Sequence, residues 1–167
     1  MYCNYAFYFG ATANNADELA HLKNLEGCCG IKLFAGSSTG NLLVAEEKDI
    51  EKVFQNSSKV VAVHSEDEEI LNKNKKLIKD GDVHSHPIWR SVECAMSSTR
   101  RIVRIAEKHN KKAHVLHITT KEEIDFLSQH KGNITFEITP QHLTIYAPDC
   151  YDTVSYTHLT LPTMFEV

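Results

Sequence analysis

The chain has 167 residues, 42% of them hydrophobic and 24% charged, which is long enough for one sizeable core and ordinary for a globular protein, so composition alone excludes little. A formal net charge of −4 offers no basic field of the kind nucleic acids need, and a small-molecule partner is expected instead. No apolar run approaches the roughly 18 residues needed to cross a bilayer, and no signal-peptide succession is seen; no membrane partner and a cytoplasmic location are expected.

Strand-like and helix-like segments alternate from the start, the pattern of an α/β fold with a parallel sheet. Aromatic-rich residues 5–9 read as a strand and 14–25 as a helix opened by Asn and Asp. Residues 29–34 are a strand running into the loop Gly36-Ser37-Ser38-Thr39-Gly40, and 46–54 a helix. β-Branched 60–64 is a strand, the acidic stretch 65–69 starts a helix that ends near Lys79, and 81–87 is loop. Val92, Ala95, Met96, Ile102, Val103 and Ala106 recur mostly three or four apart, which predicts a long amphipathic helix over 91–109. Residues 113–118 form a strand; Thr120-Lys121-Glu122-Glu123 fits a capping box for a helix through Gln129; and 134–138 is a last strand closed by Pro140.

Residues 1–153 are expected to be one domain. Residues 154–163 resemble the translation of a sequencing-library adapter, so 154–167 are expected to be a non-native tail and His158 is set aside. The five cysteines, Cys3, Cys28, Cys29, Cys94 and Cys150, lack a CxxC or secreted-scaffold spacing and are expected to be reduced thiols packed as small hydrophobes.

Side chains alternate faces along a strand. If Ile31, Leu33, Val61, Val63 and Leu116 face helices, then Lys32, His64 and His117 point the other way, near strand C-termini, where parallel barrels keep their active sites. His114, opposite in parity to His117, then packs beneath the helices. Singly, these residues have ordinary explanations: a hydrogen-bonded strand-end histidine, a rim lysine. Together they also suit a metal centre. Burial disfavours an ammonium, and a neutral Lys32 can react with carbon dioxide to a carbamate able to bridge two cations, while imidazole suits zinc. The residue pattern leaves both readings open.

Five ordered segments resemble dihydroorotases of the amidohydrolase superfamily, in their longer, hydantoinase-like bacterial branch. They are Gly30-Ile31-Lys32-Leu33-Phe34 with the 36–40 loop; Val63-His64-Ser65-Glu66-Asp67-Glu68; His86-Pro87-Ile88-Trp89-Arg90 with Glu93; His114-Val115-Leu116-His117-Ile118; and Glu137-Ile138-Thr139-Pro140-Gln141-His142-Leu143. The resemblance implies part of a (β/α)8 TIM-type barrel, about strands three to seven. It implies Zn2+, two ions per complete site, bridged by carboxylated Lys32, with His64 and His117 binding one of them.

On this reading the strand-one His-x-His, the following arginine that grips substrate carboxylate, and the catalytic strand-eight aspartate lie outside the chain. No catalytic residue is then assigned within it, and the chain alone is expected to be inactive. The implied reaction interconverts dihydroorotate and N-carbamoyl-aspartate in pyrimidine synthesis. His86, Arg90 and His142 are candidates for substrate contact or support, although a local hydrogen-bonded turn explains His86 and Arg90 equally well. A dihydropyrimidinase, hydantoinase or allantoinase, or a non-catalytic dihydroorotase-like subunit, are alternatives. A homodimer is entertained for the complete protein.

Overall fold

A computed structural model describes residues 3–38, 40–145, 147 and 151. The expected 154–167 tail and Cys150 lie outside the described residues. Five strands, β1 (Phe7–Gly10), β2 (Cys28–Phe34), β3 (Val61–His64), β4 (Ala113–Val115) and β5 (Ile134–Phe136), form one sheet in sequential order with every neighbouring pair parallel. Order without reversal, with a helical return after each strand, is how a (β/α) barrel wall is wound; a doubly wound sheet would reverse at a switch point.

The sheet faces are chemically unlike. Ile31, Leu33, Val61, Val63, Ala113, Val115 and Ile134 project to one side and are buried against Leu19, Ile50, Phe54, Ile102, Ile105 and Leu127 of the helical layer. Each fully buried Leu, Ile or Phe there contributes roughly 1.5–3 kcal/mol relative to exposure. That layer contains a 3-10 helix (Ala16–Asn24), α1 (Glu47–Asn56), α4 (Val92–Lys108) and α5 (Lys121–Leu127), while α2 (Glu68–Asn74), α3 (His86–Trp89) and α6 (Pro140–Thr144) add no residue to this core. In register on the opposite, inner face stand Gly10, Lys32, Ala62, His114 and Thr135.

Several boundaries differ from expectation, each with a local cause. The helix expected over 14–25 is a 3-10 helix, Ala16–Asn24, because its buried residues Ala16, Leu19 and Leu22 recur every three, the 3-10 period. The acidic stretch does not begin a helix at Ser65: Asp67 is the cap, accepting from the amides of Glu69 and Ile70, so α2 starts at Glu68. Residues 81–87, expected as loop, include a 3-10 turn, Val83–Ser85, and the start of α3 at His86, which Pro87 suits. Ser91 caps α4 and Thr120 caps α5, close to expectation. Pro140, rather than merely closing a strand, opens α6. All the described cysteines are free, but only Cys94 is buried; Cys3 and Cys29 are exposed.

Candidate functional site

Lys32 is on the inner face of β2, its Nζ 4.2 Å from the centroid of the Phe34 ring. Burial pulls its pKa down to about 8, and Glu137 opposes that shift without cancelling it. His64 ends β3 on the same inner side as Phe34, with which it is in register. Its Nδ1 is 3.1 Å from Nε2 of His117, and its Nε2 is 2.9 Å from Oε2 of Glu66.

His117 reaches His64 by a route that strand parity does not provide. Ala113 and Val115, not Leu116, are the β4 residues in the helix-facing core, so unbroken alternation would send His117 outward with them. Instead β4 ends at Val115 and His117 takes a left-handed backbone, φ 42°, which turns its ring inward. The pairing of His117 with His64 stands; the alternation argument for it does not. By the same inversion His114 is not packed beneath the helices. It faces inward, bonding Thr135 Oγ1 at 2.8 Å and Glu137 Oε2 at 3.3 Å.

Burial holds the His117 pKa below the ordinary histidine range; the nearby backbone of His117 itself works against this, and His64, Lys32 and His142 add to the depression. His142, exposed on α6, is thus close enough to be felt electrostatically.

Arg90 joins the site through Glu66. Its Nη1 lies 3.2 Å from Glu66 Oε2, its Nη2 donates to Ser37 Oγ, and its guanidinium stacks 4.8 Å from the Trp89 ring centroid. Arg90 Nε is buried with no hydrogen-bond partner among the described residues. Burial pushes the Glu66 carboxyl up, but the His64 hydrogen bond and the Arg90 charge outweigh it and hold the group below the usual carboxylate range. His86 packs edge-on to Trp89, and burial, with Arg90, lowers its pKa. Glu93 and Gln141 are exposed.

Lys32, His64 and His117 therefore share one face at the strand ends, with Arg90 linked to His64 and His142 at the margin. Among the described residues no three His, Cys, Asp or Glu side chains are grouped to hold a metal ion. Sequence reasoning missed Glu66 and Glu137. A carboxylate two residues after a strand-end histidine was the available signal for Glu66.

No family model matches the chain. Against curated proteins it is 29% identical over 122 residues to a dihydroorotase of Pyrococcus furiosus, covering 72% of this chain and 25% of the relative. A dihydroorotase of Methanosarcina mazei is 28% identical over 154 residues, with 84% of this chain and 33% of the relative covered. Its curated relatives here are dihydroorotases. The chain thus spans about a quarter to a third of their length. Among solved structures it matches an L-hydantoinase (dihydropyrimidinase) from Arthrobacter aurescens with a TM-score of 0.78 at 21% identity, over 89% of this chain and 35% of that one. The fold is that of about a third of that hydantoinase structure.

Proposed function

We propose that the chain supplies the Lys32, His64 and His117 wall of a zinc-dependent cyclic amidohydrolase that interconverts dihydroorotate and N-carbamoyl-aspartate in pyrimidine synthesis. One observation carries the metal reading. His64 Nε2 faces a carboxylate, which can only accept, so that nitrogen holds the proton and Nδ1 keeps its lone pair. His117 Nε2 stands 3.1 Å from that lone pair, so the two nitrogens share either the His117 Nε2 proton or, when His117 carries its proton on Nδ1, a cation between them. Two imidazole nitrogens on one tetrahedral zinc, at 2.0–2.1 Å each, stand about 3.4 Å apart, close to the spacing found.

Lys32, at about 8, keeps a substantial neutral fraction for carbamate formation beside the histidine pair. A bound zinc pair would supply Lewis-acid polarisation of the amide carbonyl and an activated water. The chain's own residues do the rest: His64 and His117 hold donor atoms in place, and Arg90 holds the Glu66 carboxylate that faces His64. The sequence relatives named dihydroorotase support dihydroorotate over other cyclic amides.

The test is turnover by the complete gene product that carries this segment, in zinc-containing buffer, with hydantoin and allantoin as controls. Carbamoyl aspartate should appear from dihydroorotate and vanish in Lys32→Ala and His64→Asn. Hydrolysis of hydantoin or allantoin with dihydroorotate untouched would reassign the substrate, and no hydrolysis of any of the three would leave a binding role.

A further inference from the structure

We infer that Glu66 is the positioning residue of this site: it locks His64 as the Nε2–H tautomer and, through Arg90, ties that ring to the turn at Ser37. One carboxylate oxygen does both. Oε2 lies 2.9 Å from His64 Nε2 and 3.2 Å from Arg90 Nη1. Both donors are charged or polarised toward an anion that accepts only, so neither bond can reverse its direction. The side chains are largely withdrawn from solvent, with 17% of His64 and 14% of Glu66 exposed, so water competes weakly for the bonds.

The second arm runs to the Gly36–Ser37 turn. Arg90 Nη2 donates to Ser37 Oγ, and the Ser37 amide donates to Glu68 Oε2 at 2.9 Å. Ser37 has φ 48°, a left-handed conformation that a serine keeps only when its surroundings hold it. Gly36 lies directly on the same segment: a Cβ there would meet the Glu66 carbonyl oxygen at 2.4 Å. Glu66 thus touches the turn by its backbone and, through Arg90, by its side chain. A displaced Glu66 would release the ring and the turn together.

This rests on the proposed metal reading only for what His64 Nδ1 is used for; the tautomer and the turn are properties of the chain without metal. Nitrogen-15 correlation spectra of the metal-free chain should show His64 as a single tautomer whose Nε2–H exchanges slowly. In Glu66→Leu the protected Nε2–H should disappear, a second tautomer should emerge, and the Ser37 amide should shift. Glu66→Gln, which retains an acceptor oxygen, should partly rescue the tautomer. Zinc titration of Glu66→Leu should weaken about 10–100-fold, as for lost carboxylate partners of metal-bound histidines. Arg90→Met should move the Ser37 amide while leaving the His64 tautomer unchanged.

A Glu66→Leu chain that keeps one protected Nε2–H tautomer overturns the proposal, and so does an Arg90→Met chain that loses it while Glu66→Leu does not. If the wild-type chain takes no zinc, the metal reading fails and the tautomer result still decides the role of Glu66.

Discussion

The Lys32 amine is the group whose chemistry departs furthest from its ordinary behaviour, and carbon dioxide is the reagent that reveals it. At pH 7 a lysine titrating at 10.5 is about 0.03% free amine, whereas one at about 8 is about 9% free, a gain of roughly 300-fold. Burial beside the Phe34 ring causes the shift. The sign follows: carbamate forms from the free amine and releases a proton, so at fixed dissolved carbon dioxide and low occupancy carbamate on Lys32 should rise nearly a hundredfold per pH unit below about 8 and nearly tenfold per unit above it. Carbon-13 spectra of the chain in labelled carbon dioxide would show the carbamate, with Lys32→Arg as the subtraction control for the α-amine, which titrates at about 7.7–8.0. Glu137 holds the proton on Lys32, so Glu137→Gln should shift the onset to lower pH. A carbamate signal that Lys32→Arg leaves undiminished would refute the reasoning.

Two further predictions concern the buried polar groups that hold the β3 end. Asp67 caps α2 and accepts from Ser97 Oγ at 2.7 Å, so Asp67→Ala should cost about 1–3 kcal/mol in urea unfolding, the cap plus a hydrogen bond to a half-buried hydroxyl. Burial raises the Asp67 pKa, but Ser97, the helix amides and Arg101 outweigh it; its contribution is therefore complete above the ordinary carboxylate value and lost as pH falls below it. Equal stability of the two chains at neutral pH would contradict this. Glu123, 2% exposed, accepts from Thr99 and Thr120, each at 2.8 Å, and burial raises its pKa. Its native carboxyl binds a proton more tightly than the unfolded one, so this group's contribution to stability falls as pH rises above about 4.5. Glu123→Gln should therefore gain stability relative to wild type as pH rises from 4 to 7, read by thermal or urea unfolding; parallel pH profiles would exclude it.

What was legible in the sequence is the part that periodicity controls. The helix-facing residues of β2 and β3 alternate as read, because both strands run unbroken to their ends and bury one face against helices. Lys32 and His64 follow from them by parity. The α4 helix was equally plain, and of the six apolar residues that marked it Met96, Ile102, Val103 and Ala106 are buried, whereas Val92 at its first turn is exposed. The failures come where the backbone leaves regular structure. On β4, unbroken alternation placed His117 inward and His114 outward, but the strand stops at Val115 and a left-handed residue turns His117. Periodicity carries no information about a single positive φ on a non-glycine residue, so both histidines now face the same side for different reasons.

Glu66 was overlooked through a related error of register. In Ser-Glu-Asp-Glu-Glu all the acids look like first-turn residues favoured by the helix dipole. Only the choice of Asp67 as cap leaves Glu66 outside the helix, free to turn back to His64. What decides that choice is tertiary: Asp67 is anchored by Ser97 on α4, 30 residues away, and Cys94 on the same helix donates to its backbone carbonyl. The cap that starts α2 is therefore also what points Glu66 at the site. Shifting the cap by one residue would remove the bond that fixes His64 without altering any residue that touches it.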